Sequence, residues 1–192
     1  MLILFIFCYT FIMVGGEKMK DLEVIQLLQH YRHDLLNQLQ LVQGYLSMGK
    51  TNKVEEKLEE LFSLLNEERK LTILQTPKFA LWLIQFNHIY KNFRITYTID
   101  IENQNLEHLD EILLTECKEF MEYMKKISDG DQLYEMELTI KETEDKQSIE
   151  TCFFIDGLVN KSHTLDINEE NNKGSIYETE DRIVRRFITP KI

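Results

Sequence analysis

Glycine, proline and cysteine are scarce in this 192-residue chain: seven, two and three residues respectively. So few glycines leave a mechanism built on a glycine-rich phosphate loop poorly supplied. The cysteines (Cys8, Cys117 and Cys152) have no CxxC spacing, which points away from a disulfide scaffold and from a zinc site. A reducing cytoplasm is the expected compartment. Positive charge is also short, with Lys+Arg 22 against Asp+Glu 33 and a net charge of −11. A protein that binds nucleic acid in bulk needs cations to displace counterions from phosphate, so no nucleic-acid partner is expected. Apolar residues make up 43% and charged residues 29%, enough to build a core and too much apolar content for wholesale disorder.

Met1 to Val14 (MLILFIFCYTFIMV) carries no charge. It is shorter than the roughly 20 apolar residues a spanning helix needs. It has no Lys or Arg ahead of it and no small-residue cleavage site after it, as a signal peptide would. Gly15-Gly16-Glu17-Lys18 then precedes Met19, and codons for Gly-Gly-Glu can spell a bacterial ribosome-binding sequence. The expectation is that residues 1–18 are an apolar leader translated from upstream of the true start, with a membrane anchor of marginal length as the alternative.

From Lys20 to about Met48, Ile25, Leu28, Leu35, Leu39, Val42 and Leu46 recur at steps of three and four, with Arg32 in the one polar slot. That is a heptad-like helical seam without proline. Met48-Gly49-Lys50-Thr51-Asn52 supplies a turn, with Gly49 suited to a left-handed helix end. A second helix is predicted from about Asn52 to Leu74, on Val54, Leu58, Leu61 and Leu65, widened by Leu64 and Leu71. Two long helices joined by so short a turn lie antiparallel. A lone pair leaves most of its apolar stripe wet, so a homodimer closing a four-helix bundle is expected.

Gln75-Thr76-Pro77 ends this hairpin. Helical spacing returns over 78–91 and 106–127, and strands are predicted over 93–101, 132–140 and 148–155, with a last one over 182–188. Residues 168–175 read as a polar loop. The order is mostly antiparallel strands with helices between them, an α+β domain. The expected organisation is a leader over 1–18, a helical hairpin over 19–75 and an α/β domain over 76–192. Residues 20–75 carry 7 basic and 9 acidic side chains and residues 76–192 carry 14 and 23, so the acidic load falls on the second domain.

The chemistry-bearing segment is Tyr31-Arg32-His33-Asp34-Leu35-Leu36-Asn37-Gln38-Leu39-Gln40. With the seam as above, His33 falls one step off it and faces solvent, and Leu36, Asn37 and Gln40 share its face at i+3, i+4 and i+7. A neutral imidazole is a nucleophile near pH 7. A neighbouring acid, here Asp34, can orient the ring or take its proton. Arg32 can neutralise charge on a phosphoryl group. By spacing alone, a solvated surface His–Asp pair would look the same.

Arg32 to Lys50 (RHDLLNQLQLVQGYLSMGK) resembles the phosphoacceptor helix of bacterial sensor histidine kinases, in the branch with a His-Asp-x-x-Asn core followed by Leu-Gln and Gly. His33 matches the phosphorylated histidine, Asp34 the acid after it and Asn37 the polar residue one turn on. The elements after Pro77 follow the order of the kinases' ATP-binding α/β sandwich. Its nucleotide boxes are not present: no asparagine occurs between Asn105 and Asn160, Asp156-Gly157-Leu158-Val159-Asn160 lacks the second glycine of Asp-x-Gly-x-Gly, and Gly174 is the last glycine.

A phosphoacceptor hairpin joined to a kinase-like domain without ATP boxes resembles the sporulation initiation phosphotransferase B family. The resemblance implies a dimeric phosphotransferase. It takes phosphoryl from a single-domain response regulator onto His33 and passes it to the receiver domain of a sporulation transcription factor. Leu36, Gln40 and Gly44, with Asn37, would line the docking surface. No cofactor of its own is implied, because the receiver supplies Mg²⁺. Rival functions are an ATP-dependent histidine kinase and a non-enzymatic module that binds a response regulator.

The remaining candidates are weaker. His30 lacks a following acid, and His88, His108 and His163 show no metal-ligand spacing. Trp82, Cys117 and Cys152 lie in apolar contexts and are expected to be buried. Arg182, Arg185 and Arg186 form the one basic cluster and are expected along a solvated edge strand.

Overall fold

The structure, a computed structural model, describes residues 21–101, 105–156, 174–178 and 182–191. The expectations for the leader over 1–18, for Cys8, for His163 and for residues 157–160 lie outside these. The chain divides into two compact units, one ending at Arg69 and the other beginning at Lys70.

The first unit is built from two helices that pack together, α1 (Asp21–Ser47) and α2 (Thr51–Ile73), the last turn of α2 counting with the second unit. Gly49 closes α1 with φ +66°. Its N–H bonds to Leu46 O at 3.0 Å and the Lys50 N–H bonds to Tyr45 O at 3.0 Å. These two bonds satisfy carbonyls that the helix end would otherwise leave unpaired. Leu28, Tyr31, Leu35, Val42 and Tyr45 are half-buried. Several residues of the expected seam are not covered: Ile25 is 52% exposed, Leu39 43% and Leu46 61%; Phe62, on α2 outside that seam, is 62% exposed. Arg32, assigned to the seam by its spacing, is also exposed. The apolar stripe is wider than one neighbouring helix can cover.

The second unit is a five-stranded mixed sheet in the order β1-β2-β3-β5-β4 with helices against it. Its strands are β1 (Phe93–Asp100), β2 (Tyr134–Glu142), β3 (Ser148–Asp156), β4 (Gly174–Glu178) and β5 (Arg182–Pro190). Its helices are α3 (Pro77–Ile84), α4 (Phe86–Ile89) and α5 (Asp110–Ile127), the last entered through a 3₁₀ turn at Glu107–Leu109. β1 and β2 pair in parallel, Phe93 opposite Tyr134, because α5 carries the chain back between them. The other three pairs are antiparallel. Buried and exposed residues alternate along β1 and β2, so one face of these strands meets the core. Phe120 on α5 packs on Phe153 of β3 with ring centroids 5.0 Å apart.

Three expectations are corrected. The helix predicted over 78–91 breaks at Gln85 into α3 and α4. The break accompanies an aromatic cluster in which Trp82 meets Phe86 edge-on at 5.3 Å and Phe86 meets Tyr90 at 4.6 Å. Gly174 and Ser175, read as loop, begin β4. Finally, Arg182, Arg185 and Arg186 do not lie on an edge. β5 sits between β3 and β4, and each arginine has an acidic partner: Asp156 at 2.5 Å, Glu116 at 3.1 Å and Glu150 at 2.5 Å. Trp82, Cys117 and Cys152 are buried as expected.

Candidate functional site

α1 is uninterrupted through the His33 segment, so its side chains fall at helical angles. The His33 and Asp34 side chains are 71% and 80% exposed. The helix brings three of the predicted residues together. Nδ1 of His33 lies 3.3 Å from Asp34 Oδ1 and 3.2 Å from Asn37 Nδ2. Both contacts fall on one ring nitrogen and are alternatives: a bare Nδ1 accepts from the Asn37 amide, and a protonated Nδ1 faces the Asp34 carboxylate. When Nδ1 carries the proton it donates to the Asp34 carboxylate, and the lone pair is left on Nε2. No hydrogen bond is made at Nε2 among the described residues. The result is an imidazole oriented from one side and open on the other, the arrangement a nucleophile needs.

Leu36 and Gln40 are exposed beside this group, and Gly44 lies further along the same stripe. A Cβ built on Gly44 would meet nothing within 4 Å among the described residues, so no packing among them requires glycine there. Arg32 is exposed and adjacent in sequence. Among the described residues, no three His, Cys, Asp or Glu side chains cluster as a metal site would. No described helix is long and apolar enough to cross a membrane.

One pair near the site escaped the sequence reading. The Tyr31 hydroxyl donates to Glu68 Oε2 at 2.6 Å, joining α1 to α2 two residues before His33. Burial holds the Tyr31 phenol well above its ordinary range, and the Glu68 carboxylate adds to the shift. Burial likewise raises Glu68 above the usual carboxylate value, with the Tyr31 bond opposing it. The only sequence signal was a tyrosine on the inward flank of α1.

Comparison with known proteins bears on the same segment. Residues 13–74 match the family described as sensor kinase SpoOB-type, alpha-helical domain. Sporulation initiation phosphotransferase B of Bacillus subtilis (strain 168) is 37% identical over 91 residues, 47% of this chain and 47% of that protein. The chain thus matches about half the length of this curated relative. Likeness to solved structures is looser. The Erythrobacter litoralis EL346 blue-light activated histidine kinase is 15% identical, with a TM-score of 0.44, over 92% of this chain and 62% of that one. The Acinetobacter baumannii histidine kinase AdeS is 10% identical, with a TM-score of 0.36, over 82% and 97%. The family match thus runs through both helices of the hairpin, including the turn of α1 that carries His33.

Proposed function

We propose that this chain is a phosphotransferase in a multistep His–Asp phosphorelay controlling sporulation, working through His33 as a homodimer in the cytoplasm. The observation that carries this is the exposed His33 imidazole, with the Asp34 carboxylate beside Nδ1 and Nε2 open. The matched relative is a sporulation initiation phosphotransferase, and the family model matches this hairpin. The donor would be a single-domain response regulator and the acceptor the receiver domain of a sporulation transcription factor.

In the forward step Nε2 attacks the phosphorus of an aspartyl phosphate in line. The N–P bond forms, the acyl P–O bond breaks and the receiver's carboxylate leaves. Asp34 stabilises the cationic ring through Nδ1–H. In the second step an aspartate of the next receiver attacks the same phosphorus and the imidazole leaves. Mg²⁺ on the receiver supplies charge neutralisation, so this chain's task is to present a positioned nucleophile on a rigid helix. Arg32 lies where it can add positive charge, and Leu36, Asn37, Gln40 and Gly44 form the surface on which the receiver docks. The uncovered flank of Ile25, Leu39, Leu46 and Phe62 is closed by the hairpin of a second copy in a four-helix bundle.

The test is phosphotransfer with purified protein. Wild type and His33→Ala are mixed with a phosphorylated single-domain receiver and Mg²⁺, and separately with labelled ATP alone. Label passing from the receiver to wild type and not to His33→Ala, with none from ATP, is the expected result. Labelling by ATP alone would mean a histidine kinase. No label from either source, with receiver binding that survives His33→Ala, would mean a binding module.

A further inference from the structure

Asp34 or Asn37, according to the tautomer, orients the His33 ring from its own helix, so neither can set how that helix is rolled against its neighbour. Roll matters, because a receiver must meet Nε2 and the adjoining stripe in one geometry. The apolar interior of the first unit sets the roll only weakly. Of its large apolar side chains, Leu61 alone is buried among the described residues, and it keeps 9% exposure. The bond from Tyr31 to Glu68 crosses the hairpin at 2.6 Å, linking residues 37 apart in sequence.

Two residues along a helix turn about 200°. Holding Tyr31 against α2 therefore turns His33 away from α2, toward solvent. We propose that Tyr31 and Glu68 are positioning residues for phosphoryl transfer: their bond sets the rotation of α1 that presents His33 to the receiver. This rests on the phosphotransfer function proposed above. A hydrogen bond suits the task better than an apolar contact because it is directional. A leucine pair at the same place would tolerate sliding and rotation.

The experiment uses the full chain as wild type, Tyr31→Phe, Glu68→Leu and Glu68→Gln. Each is followed in single-turnover transfer from a phosphorylated single-domain receiver with Mg²⁺, over a range of receiver concentrations. Each is also labelled with phosphoramidate, a small donor that needs no docking. Tyr31→Phe keeps the ring and removes the donor, and Glu68→Leu removes the acceptor. Both should lower the saturating transfer rate by about three- to tenfold, the scale expected of a misoriented reacting group. Half-saturation and phosphoramidate labelling should stay at wild-type values. Glu68→Gln still accepts the bond and should retain most of the rate.

Wild-type transfer by Tyr31→Phe would overturn the proposal. So would equal losses toward receiver and phosphoramidate, which would show general loss of structure. Wild type inert toward the receiver yet labelled by phosphoramidate would overturn the phosphotransfer function itself, and the positioning role with it.

Discussion

The carboxylate of Asp110 caps a helix that begins more than thirty residues before it: Oδ1 accepts from the Phe79 N–H at 2.8 Å and Oδ2 from the Lys78 N–H at 3.0 Å. These are donors of the first turn of α3, which a helix cannot satisfy internally. The local N-cap, Thr76, makes no side-chain cap bond. Asp110 is also the first residue of α5, so one buried negative charge sits at the positive ends of two helices. Asp110→Ala would strip both bonds and leave one buried donor, Phe79 N–H, and one half-buried donor, Lys78 N–H, unpaired. The expected cost is about 2–4 kcal/mol. Asp110→Asn, which keeps one acceptor oxygen, should cost less. Thermal melts of the second unit's transition check this, and an unchanged midpoint in Asp110→Ala would sink it.

Gly44 and Gly49 should respond in opposite ways to alanine. Gly49 sits at φ +66°, where a side chain meets its own backbone, so Gly49→Ala should destabilise the hairpin by about 1 kcal/mol. Gly44 lies inside α1 with open space where a Cβ would go. Gly44→Ala should stabilise the hairpin by about 1 kcal/mol, the helix-propensity difference. If the stripe from His33 to Gly44 docks a receiver closely, the larger Gly44→Leu should lower transfer without loosening the helix. Urea denaturation beside a transfer assay separates the two effects. Full transfer by Gly44→Leu would remove Gly44 from the docking surface.

His33 and its face were legible because they depend on one helix: spacing fixes which residues share a side, and the turn at Gly49 follows from one residue type. The sheet was legible where one strand face is buried, since alternation then shows. What depends on tertiary geometry was not. Asp110 caps a segment it does not neighbour in sequence. The Tyr31–Glu68 bond exists only once two helices have taken a relative rotation. Arginines on β5 looked like edge residues because polarity at a strand says nothing about whether another strand lies beyond it in the sheet, and short β4, which precedes β5 in the chain, does. The a/d seam of α1 mixes residues turned toward α2, such as Leu28 and Leu35, with exposed ones such as Ile25 and Leu39. Spacing cannot divide one stripe between two interfaces.

That division leads to a prediction about assembly. A second hairpin covering Leu39, Leu46 and Phe62 would contribute about 1.5–3 kcal/mol for each large side chain fully buried. Leu39→Glu should therefore shift the protein from dimer to monomer in sedimentation at micromolar concentration, with the second unit still folded. Wild type sedimenting as a monomer at high concentration would refute the bundle. A dimer undisturbed by Leu39→Glu would place the interface elsewhere.

Glu68 gives the hairpin a pH dependence of known sign. Burial raises its carboxyl above the ordinary 4.5, more than the Tyr31 bond lowers it. The folded state thus holds this proton more tightly than the unfolded state, and stability must fall wherever that difference is felt. Glu68's contribution is fully present below about pH 4.5, the unfolded value, and is lost as pH rises through the higher folded value. Glu68→Gln cannot ionise. Its stability relative to wild type should be flat below that range and should climb above it. Tyr31 adds a second fall in alkali, because burial and then Glu68 hold its phenol above its ordinary value of 10.0, and Tyr31→Phe should abolish that fall. Urea midpoints of wild type, Glu68→Gln and Tyr31→Phe across pH test both. A Glu68→Gln difference that fell as pH rose would mean that the folded hairpin favours the ionised carboxylate and that burial is not the dominant influence at this bond.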